Sequence, residues 1–146
     1  MQYFADTPTG AWAEVLRHEE ITDPADLAGF SARIWAVDIG DVEMHEPQLS
    51  AAALVSPPAG YEVCRSEARR LRALGATRLS TVSAALQAGE GAGFRVGTSG
   101  LKRAPSRDGR VVVHFGGLPD AEGWCAAQAA PPDVEVLKQV RPLVSG

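Results

Sequence analysis

The sequence predicts an α+β fold in a single domain, on three observations. Helix-start signals of the Thr-Pro and Asp-Pro kind are interleaved with short β-branched runs. The two kinds of element do not alternate as regular β-α-β units, which argues against a doubly wound parallel sheet. The length of 146 residues suits one domain. A chain of that size buries roughly 68–70% of its unfolded surface, enough to stand without a metal or disulfide.

Element by element, residues 1–5 (Met-Gln-Tyr-Phe-Ala) read as the end of a strand. Thr7 followed by Pro8 opens a helix, because threonine can cap orphan amides and proline suits the first turn. That helix runs to about Arg17, with Ala11 and Val15, joined by Trp12 and Leu16, facing the core. Asp23-Pro24 repeats the signal for a short helix near 24–29. Trp35, Val37 and Ile39 alternate onto one face of a strand over 34–39. Residues 40–60 hold Pro47, Pro57, Pro58 and Gly60 and read as loop, with a short turn near 50–54. The best helical spacing is in 61–74, where Tyr61, Cys64, Ala68 and Leu71 recur and Gly75 supplies the stop.

A strand over 78–81 then leads into Ser83-Ala84-Ala85. The glycine- and charge-rich stretch 88–109 is broken by a short strand at 94–96. Residues 111–115 are β-branched and apolar enough for a central strand. A further strand is expected at 124–127. After Pro131-Pro132 a last helix is expected to turn Val134, Leu137 and Val140 inward.

Composition narrows the function classes. A net charge of −4 argues against nucleic acid, whose phosphates draw a basic stripe. Arg65, Arg69, Arg70 and Arg72 form the local exception and read as a solvated, ion-paired helix face. No apolar run approaches the roughly 18 residues of a membrane span, and nothing at the N-terminus reads as a signal peptide. No membrane contact is expected, and the default location is the cytoplasm. Cys64 and Cys125 lack C-x-x-C spacing and read as reduced, buried or half-buried thiols. His18, His45 and His114 are scattered, so no metal is expected. Trp12, Trp35 and Trp124 read as core. No G-x-G-x-x-G, Walker or G-x-S-x-G signature occurs.

Chemistry concentrates in the first eighteen residues. If a strand delivers Tyr3 and the chain turns at Asp6-Thr7-Pro8, the Tyr3 phenol and the Glu14 carboxylate can face one cleft. Plainer assignments stand beside this one. Glu14 and Arg17 fit an i, i+3 surface ion pair, Tyr3 a packed strand residue, Ser83 a cap for a helix over 84–88, and His18 a helix end.

The segment Tyr-Phe-Ala-Asp-Thr-Pro-Thr-Gly-Ala-Trp-Ala-Glu-Val-Leu-Arg-His at 3–18 resembles a motif of the RES domain family, which includes the toxins of Xre–RES toxin–antitoxin systems. Weaker matches follow in the family's order. They are Ile34-Trp35-Ala36-Val37, Glu67-Ala68-Arg69-Arg70-Leu71-Arg72, Thr81-Val82-Ser83-Ala84-Ala85, and Arg110 through Gly116. Together they resemble the C-terminal two-thirds of the family pattern. The resemblance implies a fold related to ADP-ribosyltransferases and breakdown of NAD at its nicotinamide–ribose bond, by water or by phosphate.

NAD is thus implied as substrate, not as a bound cofactor, and an Xre-type antitoxin as protein partner. The family's essential acid falls on Glu14, its tyrosine on Tyr3 and its serine on Ser83, although Val82 stands where the pattern has proline. The pattern's upstream strands, whose arginines hold the NAD pyrophosphate, are not found ahead of Tyr3, which leaves three expectations: a start recorded too late, a truncated remnant, or a second chain that completes the site. Arg17, one turn beyond Glu14, is the nearby replacement for substrate binding. A remnant that keeps partner binding without turnover is the competing expectation. An uncovered sheet edge at the Tyr3 strand would favour homo-oligomers.

The resemblance also fixes what the chemistry would require. Breaking the nicotinamide glycosidic bond places positive charge on the ribose, and a carboxylate beside that ring interacts more strongly with the transition state than with the substrate. Nicotinamide leaves readily, so no general acid is needed. Glu14 fits the carboxylate, Tyr3 a ring stacked on nicotinamide or ribose, and Ser83 a hydroxyl on the amide or a ribose oxygen.

Overall fold

Alternating valines make the centre of the molecule. In the computed structural model, which describes residues 1–57, 60–118 and 120–143, strand β6 (Arg110–His114) lies between β1 (Gln2–Ala5) and β3 (Arg78–Val82) in a three-stranded sheet of order β1-β6-β3. Both pairings are antiparallel. Pro58, part of the expected 40–60 loop, lies outside the described residues.

Directly opposed residues share a face, and so do alternate residues along a strand. Val111 and Val113 therefore stand on the same face as Leu79 and Thr81 of β3 and Tyr3 and Ala5 of β1. Val111, Val113 and Leu79 are buried there with Leu71 of helix α4 (Tyr61–Ala73) and Ala76. Gly75, at a φ of 90°, ends α4 in a conformation that glycine adopts without a side-chain penalty. The opposite face is mixed, with Phe4, Val82 and Val112 set among polar groups. Arg110 Nε donates to Ser80 Oγ at 2.9 Å, and Arg78 Nε to His114 Nδ1 at 3.2 Å.

Helix α1 (Pro8–His18) starts as its sequence demands, with Thr7 Oγ1 accepting from the Gly10 amide at 3.0 Å and proline in the first turn. Asp23 caps α2 (Pro24–Leu27) and Ser50 caps α3 (Ala51–Leu54) in the same way. The buried face of α1 is Gly10, Ala13, Leu16 and Arg17, rotated from the expected one, and Val15 is exposed. The reason is close approach. Ala13 packs on Ala85 and Leu86, while Leu16 packs with Leu27 and Val136 and is flanked by half-buried Trp12 and Phe30. Small side chains let the backbones meet, which a valine face would prevent.

The remaining strands form ribbons. β2 (Ala32–Asp38) pairs antiparallel with β7 (Glu122–Ala130), and β4 (Phe94–Gly97) with β5 (Gly100–Arg103). β2 starts ahead of the expected 34–39 and ends before Ile39. Trp35 and Trp124, expected in the core, are 55% and 58% exposed, because among the described residues β2 and β7 pair only with each other. Cys125 is exposed on this ribbon for the same reason, whereas Cys64 is half-buried as expected. β5 was not expected. The Gly97-Thr98-Ser99-Gly100 turn was its signal.

The last helix is a 3-10 helix, Val134–Gln139, capped by Asp133, and it turns Val136 inward while Val134 stays exposed. It stays short because Val140 must extend to form an antiparallel bridge with Leu86. Three of the four α4 arginines are ion-paired as expected, Arg65 and Arg69 on Glu62 and Arg70 on Glu67, whereas Arg72 lies over the Phe115 ring at 5.9 Å. No helix of the described residues is long and apolar enough to cross a membrane.

Candidate active site

Glu14 and Ser83, far apart in the chain, meet in a hydrogen bond: Ser83 Oγ donates to Glu14 Oε1 at 3.0 Å. Two local devices bring them together. On one side, Asp6 pins the turn between β1 and α1. Its Oδ1 accepts from the Arg110 amide at 3.0 Å, its Oδ2 pairs with Arg107, and its own amide donates to Arg110 O at 3.0 Å. The start of α1 is thereby fixed against the first residue of β6.

On the other side, β3 ends at Val82 and the chain turns. Ser83 is 1% exposed, and its hydroxyl oxygen accepts from the Ala85 and Leu86 amides, each at 3.2 Å. No helix follows at 84–88, so Ser83 caps a turn while it also holds Glu14. Leu86 fills the space between Gly10 and Gly109, where a Cβ on Gly109 would stand 2.6 Å from Leu86 Cδ1.

The carboxylate is half-buried. Burial pushes the Glu14 carboxyl above its ordinary value of 4.5, and it wins against the Ser83 hydroxyl, the Arg17 charge and the Ala85 amide, which all favour the anion. A carboxylate held this way is desolvated yet retains donors, which suits an anion meant to meet a developing cation.

Arg17 lies one turn further along α1 and is 6% exposed, with its buried Nε unpartnered among the described residues. It acts on Glu14 through charge. Tyr3 lies on the α1 side of the sheet. It shares a face with Ala5, whose Cβ would stand 3.3 Å from a Cβ on Gly10. Its side chain is 66% exposed, and its hydroxyl donates to Met1 Sδ at 3.6 Å, not to Glu14, Ser83 or Arg17. The structure therefore joins Glu14, Ser83 and Arg17 and leaves the Tyr3 phenol on the open side of the same face.

Sequence reasoning missed the Ala85 amide and the clamp behind it. The Arg141 amide donates to Ala85 O at 2.6 Å, Arg141 Nη2 to Leu86 O at 3.0 Å, and the Gln87 amide to Gln139 O at 2.9 Å. Nothing in the spacing of residues 85 and 141 could have shown this pairing. Among the described residues, no three His, Cys, Asp or Glu side chains gather as metal ligands would. Two surface hollows lie elsewhere, one of about 390 Å³ beside Leu49, Val63 and Arg70 and one of about 400 Å³ beside Asp38, Leu118 and Glu122.

A profile of the RES domain family matches residues 1–95, a span that holds Tyr3, Glu14, Arg17 and Ser83 and stops short of β6 and Arg141. No curated protein and no solved structure gives a significant match.

Proposed function

Because the chain belongs to the RES domain family, we propose that it degrades NAD by cleaving the nicotinamide–ribose bond, with Glu14 stabilising the ribosyl cation. The observation that carries this reading is the Ser83–Glu14 hydrogen bond, which fixes a half-buried carboxylate between α1 and the turn after β3. In the reaction the C1′–N1 bond breaks and its electron pair neutralises the pyridinium nitrogen, so nicotinamide leaves without a proton. Water or phosphate then bonds to C1′; water releases its surplus proton to solvent.

Each residue has a task in that sequence. The Glu14 anion faces the charge that grows on the ribose, where a desolvated carboxylate is worth more than it is in water. Ser83 locks its rotamer and leaves one carboxylate oxygen for a ribose hydroxyl. The exposed Tyr3 ring offers a face for nicotinamide or ribose to stack on. NAD is a substrate here, and an Xre-type antitoxin is the protein partner that the family membership suggests.

The competing reading is a non-catalytic chain that retains partner binding. It draws on the Tyr3 hydroxyl, which is occupied by Met1 Sδ and not by the site. Incubating the purified chain and Glu14→Gln with NAD, and following nicotinamide release, separates the two. Release by the parent chain that the variant abolishes supports the enzyme. Equal release from both removes Glu14 from the mechanism. No release from either, together with a stable complex with the cognate antitoxin on size-exclusion chromatography, supports the binding protein.

A further inference from the structure

We infer that Arg17 is a positioning residue for Glu14: a buried counter-charge that keeps the carboxylate an anion where the glycosidic bond would break. Its purpose rests on the NAD-cleaving reading, but its physical content is a coupling between two charges that can be measured without NAD.

The first ground is burial. Arginine in a domain this small is almost never enclosed unless it is paired, yet Arg17 is 6% exposed. Among the described residues it has no direct ion pair, the paired cations being Arg65, Arg69, Arg70, Arg107, Arg110 and Lys138, and its Nε has no partner. A guanidinium cannot shed its proton to escape this cost, so the compensation must be electrostatic and close by.

The second ground is direction. Residues at i and i+3 share a helix face, and Arg17 follows Glu14 at that spacing on α1. The elements packed on α1 carry further titratable groups, but Arg17 is the one whose charge acts on Glu14. β1 brings the Tyr3 phenol. On the 3-10 helix, Lys138 is bonded to Glu135 at 3.0 Å. After it, Arg141 spends its Nη2 on Leu86 O. Ser83 and Ala85 give Glu14 neutral donors, and Arg17 is the charge that favours its anion.

The third ground is reach. An arginine that grips pyrophosphate must meet a ligand arriving from solvent, and Arg17 is only 6% exposed. Its buried place one turn from Glu14 on α1 instead fits a charge that sets how readily the carboxylate ionises, so substitution should alter the pH profile before it alters NAD affinity.

The test uses the full chain without NAD. The Glu14 carboxyl is titrated by carbon-detected NMR in the parent, Arg17→Lys and Arg17→Met. The expected result is a Glu14 titration moved to higher pH in Arg17→Met and returned toward the parent in Arg17→Lys. A titration unchanged in Arg17→Met overturns the inference. If Arg17→Met does not fold at neutral pH, the double variant Arg17→Met/Glu14→Gln decides. Recovered folding shows that an uncompensated carboxylate was the fault; continued unfolding shows that Arg17 matters only by packing, which also overturns it. Should the parent fail to release nicotinamide while the titration still moves, the functional reading falls and the charge coupling stands.

Discussion

The Glu14–Ser83 region and the β2–β7 ribbon invert the usual link between side-chain size and burial. Around Glu14 the buried residues are mostly small: Gly10, Ala13, Ser83 and Ala85, with Leu16, Arg17 and Leu86 as the large members. The ribbon carries tryptophans on both strands, and they stay in solvent. A large apolar side chain is buried only where another layer arrives to cover it, and among the described residues the two-stranded ribbon gains no third strand. Small residues let α1 and the 83–87 turn touch through their backbones, and that contact holds the carboxylate.

The sharpest blow to this contrast is Glu14→Gln. Losing one preorganised electrostatic group costs about 10²–10³-fold in rate, and nicotinamide release should fall by that much. Stability should move the other way. The Glu14 carboxyl lies above its ordinary 4.5 in the folded chain, so its ionisation destabilises the fold as pH rises through the raised value, and glutamine removes that penalty at neutral pH. Melting curves at neutral and acid pH check the sign. The acid limb of the pH–rate profile should also lie above that of an ordinary carboxylate.

Leu16→Ala comes next, at about 3 kcal/mol from a cavity among Leu27 and Val136, read from urea unfolding. Ser83→Ala should cost about 1–3 kcal/mol, because the Ala85 and Leu86 amides lose their acceptor in a buried turn. Trp35→Ala on the ribbon should cost below about 1 kcal/mol, the scale of a cross-strand contact. A loss equal to that of Leu16→Ala would mean that the ribbon is covered after all.

The gentlest probe lies outside both regions. Arg70, bonded through Nε and Nη2, and the Gln48 amide hold the Glu67 carboxyl down to about 2. A carboxyl depressed in the fold stabilises above its unfolded value and loses that contribution as pH falls through the folded one. Stability should therefore decline between the ordinary 4.5 and about 2, and Glu67→Gln should flatten that decline in acid melting curves.

Local chemistry was legible wherever neighbours in sequence settle it. Thr7-Pro8 and Asp23-Pro24 announced their helices because a cap hydrogen-bonds only a few residues away, whereas the stretch after Ser50, read as a short turn, closes into a helix. The valines of β6 announced a central strand, and the 3–18 segment marked Glu14. Three features stayed hidden because each depends on a distant partner. The buried face of α1 was set by Ala85 and Leu86, the exposure of Trp35 by the lack of a third layer, and the length of the last helix by the Val140–Leu86 bridge.

By itself, then, the sequence determined where most helices start and which strand is central, and it singled out Glu14 as the acid of the proposed reading. Tertiary structure alone decided that Ser83 holds that acid, that Arg17 lies buried one turn away from it, and that the Tyr3 phenol stays in solvent. The physical reason is range. Capping and strand alternation act between near neighbours, whereas burial, desolvation and charge coupling depend on which remote backbone comes to lie beside the group.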